Sequence, residues 1–375
     1  MIVHLFEDQK FVDNTIINFD TQSVDLNKYI VFSNTKDLKY VFSTDRVLVL
    51  PNSSYKLDLD LIYKDCQLLI IHFLTPIKLY ILKNKPPHVK VLWSVWGSDA
   101  YDHFQKQDFF EQLTQNIQKE SIYQQLRFSR LYSLYHLIRY RVKPLKKEFN
   151  LLNKIDFIST VLPYEFESIN KEFNLSLKYI DFNYSVNKFK ESLSINLGNS
   201  IIIGNSATLS NNHLDVFDIV KNIKSKIVVP LSYGAYGYED YKEKIISKGN
   251  RLFGDNFHAI EYFLPIKDYD EILMSSNTMI MYHIRQQALG NIYMALFLGV
   301  RVFLNKKSIT YKYLKDEGII VFDLEKESEL VGVELDEYQK DINRELVIKL
   351  QGENAINRKV KGIIDLYNSL INNSD

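Results

Sequence analysis

Hydrophobic and polar positions along this chain form short apolar runs separated by longer stretches with polar punctuation. In the first half the runs are IVHLF (2–6), YIVFS (29–33), VLVL (47–50), LLIIHFL (68–74), VLWSVW (91–96), FISTV (157–161) and YIDF (179–182). In the second half they are IIIG (201–204), KIVVPL (226–231), AIEYF (259–263), TMIMY (278–282), VRVFL (300–304) and IIVF (319–322). Runs of this length with helix-length gaps predict βαβ units, and their continuous apolar character predicts parallel strands covered on both faces. Thirteen such runs exceed one ordinary sheet, so the pattern predicts an α/β protein of two doubly wound, Rossmann-like halves. The join falls near 185–200, where SVNKFKESLSINLGNS turns polar. This divides the chain into a first domain, 1–190, a second, 191–352, and a helical segment, 353–375, expected to pack back towards the first.

Composition narrows the classes. The 375 residues carry 46 Lys or Arg against 46 Asp or Glu, a balance that argues against a globally basic nucleic-acid binder and leaves room for a local patch. The lone Cys66 sits in an apolar run and offers no disulfide framework or cysteine metal site. The start, MIVHLFEDQKF, reads as a first strand and not as a signal peptide. No run approaches the roughly 18 apolar residues of a membrane span. A cytoplasmic protein is expected, with surface contact to a membrane still open.

Open α/β sheets bind ligands beyond the carboxyl ends of their strands, so chemistry is sought there. After IIIG come NSATLSNNH (205–213) and an amphipathic stretch, a small-residue turn feeding a helix. Such a turn either binds an anion with exposed N–H groups or simply caps the helix. After TMIMYH come Arg285, Gln286 and Gln287, where a guanidinium either pairs with phosphate or makes a structural ion pair. The two glutamines suit a sugar or base. Glu261, in AIEYFLP, either accepts from a sugar hydroxyl or is a surface acid at a strand edge. Two D-x-D strings, Asp58–Asp60 and Asp268–Asp270, lack the context of a metal site, and the second reads as a helix start. There is no H-E-x-x-H, no Walker loop and no G-x-G-x-x-G.

Two further stretches stand out. In VLWSVWGSDAYDHF (91–104) a buried strand breaks at Gly97, and Asp99 emerges at its carboxyl end, either as a general base towards an acceptor hydroxyl or as a cap. His72, ending LLIIH, is the reserve base. Between Ile122 and Lys147 lie seven Lys or Arg residues and no acid, among them Arg127, Arg130, Arg139, Arg141 and Lys143. Leu131, Tyr135, Ile138 and Val142 share a helical face there, a pattern that suits an anionic bilayer surface or an ordinary helix on a sheet.

Taken together, VLWSVWGSDAYD, IIIGNSATLSNNH, KIVVPLSYG, HIRQQALGN and GVRVFLN resemble, in order and spacing, the bacterial TDP-N-acetylfucosamine:lipid II N-acetylfucosaminyltransferases, or 4-α-L-fucosyltransferases, glycosyltransferase family 56. The resemblance runs from the first strand to about residue 325 and is densest at Trp96-Gly97-x-Asp99-x-Tyr101, Gly204-Asn205-Ser206, Ser210-Asn211-x-His213 and Arg285-Gln286-Gln287. It implies a GT-B architecture, two Rossmann-like domains facing a cleft. It implies transfer of a 4-acetamido-4,6-dideoxy sugar from a TDP donor to a polyprenyl-diphosphate glycan by an enzyme peripheral on the inner membrane. The donor residues would be Gly204, Asn205, Ser206, Ser210, Asn211, His213, Glu261, Arg285, Gln286, Gln287 and Asn291, with no obligatory metal or other cofactor. The acceptor side would hold Asp99 and His72, with Trp96, Gly97 and Tyr101 lining it. Departures occur at Ala207-Thr208, where the family has Gly-Asp, at Ala288, where it has Gly, and in the turn Leu231–Gly234; all bear on which donor is used. A transferase with another donor, a sugar-nucleotide epimerase and a non-catalytic membrane scaffold are the competing readings.

Overall fold

The computed structural model describes residues 1–53, 57–104, 109–120, 130–182, 189, 197–234 and 239–372. The chain divides into two compact units. Unit 1 comprises Met1–Lys106, Phe128–Val186 and Glu353–Asp375, and unit 2 comprises Gln107–Arg127 and Asn187–Gly352.

Unit 1 is built on strands β1 (Ile2–Glu7), β2 (Asn27–Phe32), β3 (Val47–Leu50), β4 (Leu68–His72), β5 (Lys90–Ser94), β6 (Phe157–Ser159) and β7 (Lys178–Tyr179). All pair in parallel, in the order β3-β2-β1-β4-β5-β6-β7. The central strands β1 and β4 are covered on both faces, which is why their sequences are continuously apolar. On one face Val12, Ile16 and Phe19 of the helix Val12–Asp20 share a core cluster with Val360, Ile363 and Tyr367 of the helix Glu353–Asn372. Each such side chain, fully buried, contributes roughly 1.5–3 kcal/mol.

Unit 2 carries β8 (Ser200–Ile203), β9 (Ile227–Pro230), β10 (Phe257–Ile260), β11 (Ser276–Met281), β12 (Arg301–Leu304) and β13 (Phe322–Asp323). They too are parallel, in the order β10-β9-β8-β11-β12-β13. In both sheets the chain lays strands outward on one side, then returns to the centre and continues on the other. The order therefore reverses between β1 and β4 in unit 1 and between β8 and β11 in unit 2. Beyond the carboxyl ends of such a pair, departing loops diverge and leave a crevice.

Two expectations change. The first domain is interrupted, because the helix Gln112–Glu120 groups with unit 2. The Asp215 carboxylate accepts the Leu113 and Thr114 N–H groups at 2.9 and 3.3 Å and the Thr114 hydroxyl at 2.8 Å. The Asn212 side-chain oxygen takes the Glu111 N–H at 2.9 Å, and Ile117 joins the apolar cluster of Phe217 and Leu214. In addition, β10 stops at Ile260, short of the run that continued to Phe263, where side chains turn outward. No helix among the described residues is long and apolar enough to cross a membrane.

Candidate active site

In unit 2 the crevice is edged by the loop after β8 and the loop after β11. Gly204 leaves β8 at φ 71°, and its N–H donates to Ile280 O of β11 at 2.9 Å. A Cβ at this position would stand 2.5 Å from His213 Nε2 and 2.7 Å from Asn211 Oδ1, so the turn requires glycine on both grounds. Asn211 organises the loop. Its Nδ2 donates to Ser206 O at 3.0 Å and Thr208 O at 3.2 Å, which assigns its oxygen as acceptor. That oxygen receives the Asn205 N–H and His283 Nε2, each at 2.9 Å, so His283 carries its proton on Nε2. Burial pushes the pKa of His283 well below the usual imidazole range, with the Arg285 charge adding to the effect, and burial lowers His213 to about 3. Both rings are neutral at physiological pH.

The two loops are stitched together by uncharged groups. Gln287 Nε2 donates to Asn205 Oδ1 and to Thr208 Oγ1, both at 3.1 Å, and Gln287 Oε1 accepts from the Ser210 hydroxyl at 2.5 Å. Asn205 Nδ2 reaches the Tyr233 hydroxyl at 3.1 Å, and Ser206 Oγ and Thr208 Oγ1 lie 2.9 Å apart. Asn291, in the first turn of the helix Leu289–Leu298, donates to the Tyr269 hydroxyl at 3.1 Å. Half-buried Arg285 donates to the carbonyl of buried Gln286 at 3.2 Å. Residues Gly204, Asn205, Ser206, Ser210, Asn211, His213 and Gln287 thus come together, with Arg285, Gln286 and Asn291 on the strand-to-helix junction beside them. Glu261 does not join them. It follows edge strand β10, two strands from the reversal, and its exposed carboxylate pairs with Lys242 at 2.9 Å, which is the surface-acid reading. Thr208, Tyr233, Tyr269 and His283 complete the arrangement. Of these Thr208, Tyr233 and His283 lie in stretches that the sequence singled out, and Tyr269 had no signal there.

In unit 1 Asp99 is 3% exposed. Its Oδ2 accepts the Leu74 N–H at 3.0 Å and Trp93 Nε1 at 2.9 Å, and its Oδ1 accepts the Trp96 and Gly97 N–H groups at 3.0 Å each. A carboxylate offers about four acceptor directions, and here all are filled. Burial raises the Asp99 pKa while hydrogen bonds from Leu74, Trp93 and Trp96 oppose the rise. The geometry is neither that of a base nor that of a helix cap, since Gly97 is the N-cap of the helix Ser98–Tyr101 and no side chain caps it: Asp99 ties the ends of β4 and β5 together, fixes the Gly97 turn at φ 116°, and leaves no direction for an acceptor hydroxyl. Tyr101 faces the interior, its hydroxyl donating to Glu165 Oε1 at 2.7 Å. His72 is likewise fully buried, its Nε2 lying 3.2 Å from His4 Nδ1, and a shielded imidazole is a poor reserve base. Trp96 remains half-exposed, its ring 5.1 Å from Phe11 and 6.1 Å from Phe73.

The sequence missed the group at the reversal itself. Glu7 ends β1, and its Oε1 accepts from Thr75 Oγ1 at 2.7 Å while its Oε2 pairs with Lys78. Lys78 is fully buried and also donates to the carbonyls of His72 and Phe73. Among the described residues no group of three or more His, Cys, Asp or Glu side chains could hold a metal ion, and the Asp58 carboxylate accepts the Asp60 N–H at 3.0 Å.

The basic segment forms the helix Arg130–Tyr140 in its described part. Its outward face is apolar: Leu131 is 77% exposed, Leu134 52%, Tyr135 51% and Ile138 59%. Val142, assigned to that face from the sequence, is instead fully buried, since the helix has ended before it. Arg139 lies over the Tyr140 ring at 5.5 Å, and Arg141 and Lys143 are exposed. Arg127 and the side chain of Arg130 lie outside the described residues.

Known structures share this architecture. A glycosyltransferase from Rickettsia africae matches with 12% identity and a TM-score of 0.64 over 99% of this chain and 98% of its own. Anabaena HepE in complex with UDP and glucose matches with 11% identity and a TM-score of 0.63, over 97% and 100%. An E. coli trehalose-6-phosphate protein bound with UDP-2-fluoro glucose gives 9% and 0.61, over 97% and 98%. Such likeness establishes the fold, which is GT-B. The model of the 4-alpha-L-fucosyltransferase glycosyl transferase group 56 family matches residues 9–344, and the chain therefore belongs to that family of sugar-transferring enzymes.

Proposed function

We propose that this enzyme transfers a 4-acetamido-4,6-dideoxy-hexose from a TDP donor to a polyprenyl-diphosphate glycan at the inner face of a membrane. The observation that carries the donor side is the crevice of unit 2. Uncharged Asn205, Ser206, Thr208, Ser210 and Gln287 meet there, and Arg285 and the amino end of the helix Leu289–Leu298 supply positive potential beside them. A departing diphosphate gains negative charge as the glycosidic bond breaks, and preorganised N–H donors with one guanidinium stabilise that charge without a resident metal. The UDP and UDP-sugar complexes of HepE and the E. coli protein support a nucleotide-sugar donor.

The membrane reading rests on the helix Arg130–Tyr140. Residues 131, 134, 135 and 138 follow the spacing of one helical face, and that face is turned to solvent next to Arg139, Arg141 and Lys143. Soluble helices bury such a face; an anionic bilayer surface accepts both its rings and its charges. Unit 1 would then present the acceptor.

Transfer from TDP, UDP and GDP sugars to a polyprenyl-diphosphate disaccharide, with and without EDTA and with product analysis, tests the reaction. A glycosylated lipid formed from the TDP sugar and insensitive to EDTA is expected. An epimerised nucleotide sugar, or no product from any donor, would contradict it. On vesicles containing anionic phospholipid, Leu131→Glu with Ile138→Glu should abolish co-sedimentation.

A further inference from the structure

Beside the strand reversal of unit 1 one carboxylate is held without being used up. Glu7 Oε1 takes the Thr75 hydroxyl and Oε2 takes Lys78, one donor each among the described residues. With about four acceptor directions on a carboxylate, one remains on each oxygen. Its side chain is 18% exposed while that of Lys78 is 0% exposed, so the ammonium is the hidden partner and Glu7 the one that keeps some surface. Lys78 spends its three N–H bonds on Glu7, His72 O and Phe73 O, which fixes its position and that of Glu7.

The backbone is bent to allow this. Phe73 sits at φ 60°, a region that L side chains other than Asn and Asp seldom enter, and strain of this kind collects at functional sites. That bend lets consecutive carbonyls reach Lys78. It also places the Phe73 ring 6.1 Å from Trp96, whose indole meets Phe11 edge-on at 5.1 Å. Phe11, Phe73 and Trp96 are all only partly buried. The face of a pyranose that carries axial C–H groups is apolar and packs on aromatic rings, while its equatorial hydroxyls need acceptors at the rim.

We propose that Glu7, positioned by Lys78, is the residue that binds the acceptor sugar, taking two neighbouring hydroxyls of a pyranose seated against Trp96, Phe11 and Phe73. This rests on the reading of unit 1 as the acceptor side. Glu7 is an acceptor-binding and specificity-determining residue in this account; Asp99 serves it indirectly by fixing the backbone of Trp96.

The test uses the full chain and its two tryptophans. Methyl pyranosides of neutral hexoses and of N-acetylhexosamines are titrated while tryptophan emission is followed, without nucleotide present. Wild type should show a saturable change that Trp96→Phe removes and Glu7→Gln weakens at least tenfold. Because Glu7→Gln leaves a buried ammonium without its counter-charge, the double variant Glu7→Gln with Lys78→Met is measured alongside, with its Tm as a check on folding. It should fold and still fail to bind the sugars. Sugar binding equal to wild type in the folded double variant would overturn the proposal, as would a wild type that transfers sugar yet shows no emission change with any pyranoside. A sugar response in a protein that transfers from no TDP donor would support this site while overturning the donor reading.

Discussion

At the reversal between β1 and β4 the side chains are Glu7, Thr75 and Lys78, and the loops that leave these two strands carry Phe11 and Phe73, whose rings pack with Trp96. At the reversal between β8 and β11 they are Asn205, Ser206, Ser210, Asn211 and Gln287, with Arg285 beside them. The sheets have the same central order, so topology supplies a crevice in each and says nothing about what fills it. A carboxylate with aromatic walls favours a neutral polyol and repels a diphosphate. Amides, hydroxyls, neutral imidazoles and one guanidinium meet a diphosphate without charge repulsion. In the function we propose, the chemistry at the strand ends divides labour between two units that the fold leaves alike.

The largest effect expected from breaking this arrangement lies at Asp99. Replacing it by Ala leaves four buried N–H donors without an acceptor, each costing ~1–3 kcal/mol before relaxation, so a net loss of about 3–5 kcal/mol is expected in urea unfolding. A general base on the surface of a site would instead lose activity with little loss of stability. If Asp99→Ala proves as stable as wild type, the joint described here is wrong and the base reading returns.

The second effect is a pH dependence. Burial lowers His4 in unit 1 to about 4 and His213 in unit 2 to about 3. Both are neutral when folded and become protonated when unfolded below the ordinary value of 6.5. The unfolded chain therefore binds more protons in this window, and stability present above pH 6.5 is lost as pH falls towards about 4. His4 alone accounts for on the order of 3 kcal/mol across it. The urea midpoint should fall steadily from pH 7 to pH 4.5; a flat midpoint would contradict neutral burial in either unit.

The smallest effect lies at the start of the helix Leu289–Leu298. Ala288 stands at φ 56°, a conformation that glycine adopts freely and alanine only with a cost. Ala288→Gly should raise stability by about 1 kcal/mol, a Tm increase of roughly 2–4 °C, without displacing Gln287. A fall in Tm would mean that the alanine methyl packs more favourably than the backbone is strained.

Strands were legible because both faces of a parallel sheet are buried, which writes continuous apolar runs into β1, β4, β8 and β11. The allegiance of Gln112–Glu120 was not, because its partner Asp215 lies about a hundred residues on and leaves no local pattern. Small polar residues after β8 and β11 pointed to the two loops that the structure brings together, whereas Glu261 looked equivalent only because edge and centre cannot be told apart without strand order. The same blindness hid Glu7, a single acid ending the first strand. Asp99 was conspicuous for a sound reason, a carboxylate breaking out of a buried strand. What sequence could not show was that four N–H groups converge on it.

A thermal-shift comparison of TDP, UDP and GDP on wild type and Arg285→Ala decides whether unit 2 binds the proposed donor. A ligand that binds only the folded state raises Tm by mass action. The account predicts a saturable rise with TDP, smaller with UDP and absent with GDP. In Arg285→Ala the TDP response should need ~10-fold or more ligand, since a charge-assisted hydrogen bond is worth ~1.5–3 kcal/mol. No shift with TDP, or an undiminished shift in Arg285→Ala, would contradict it.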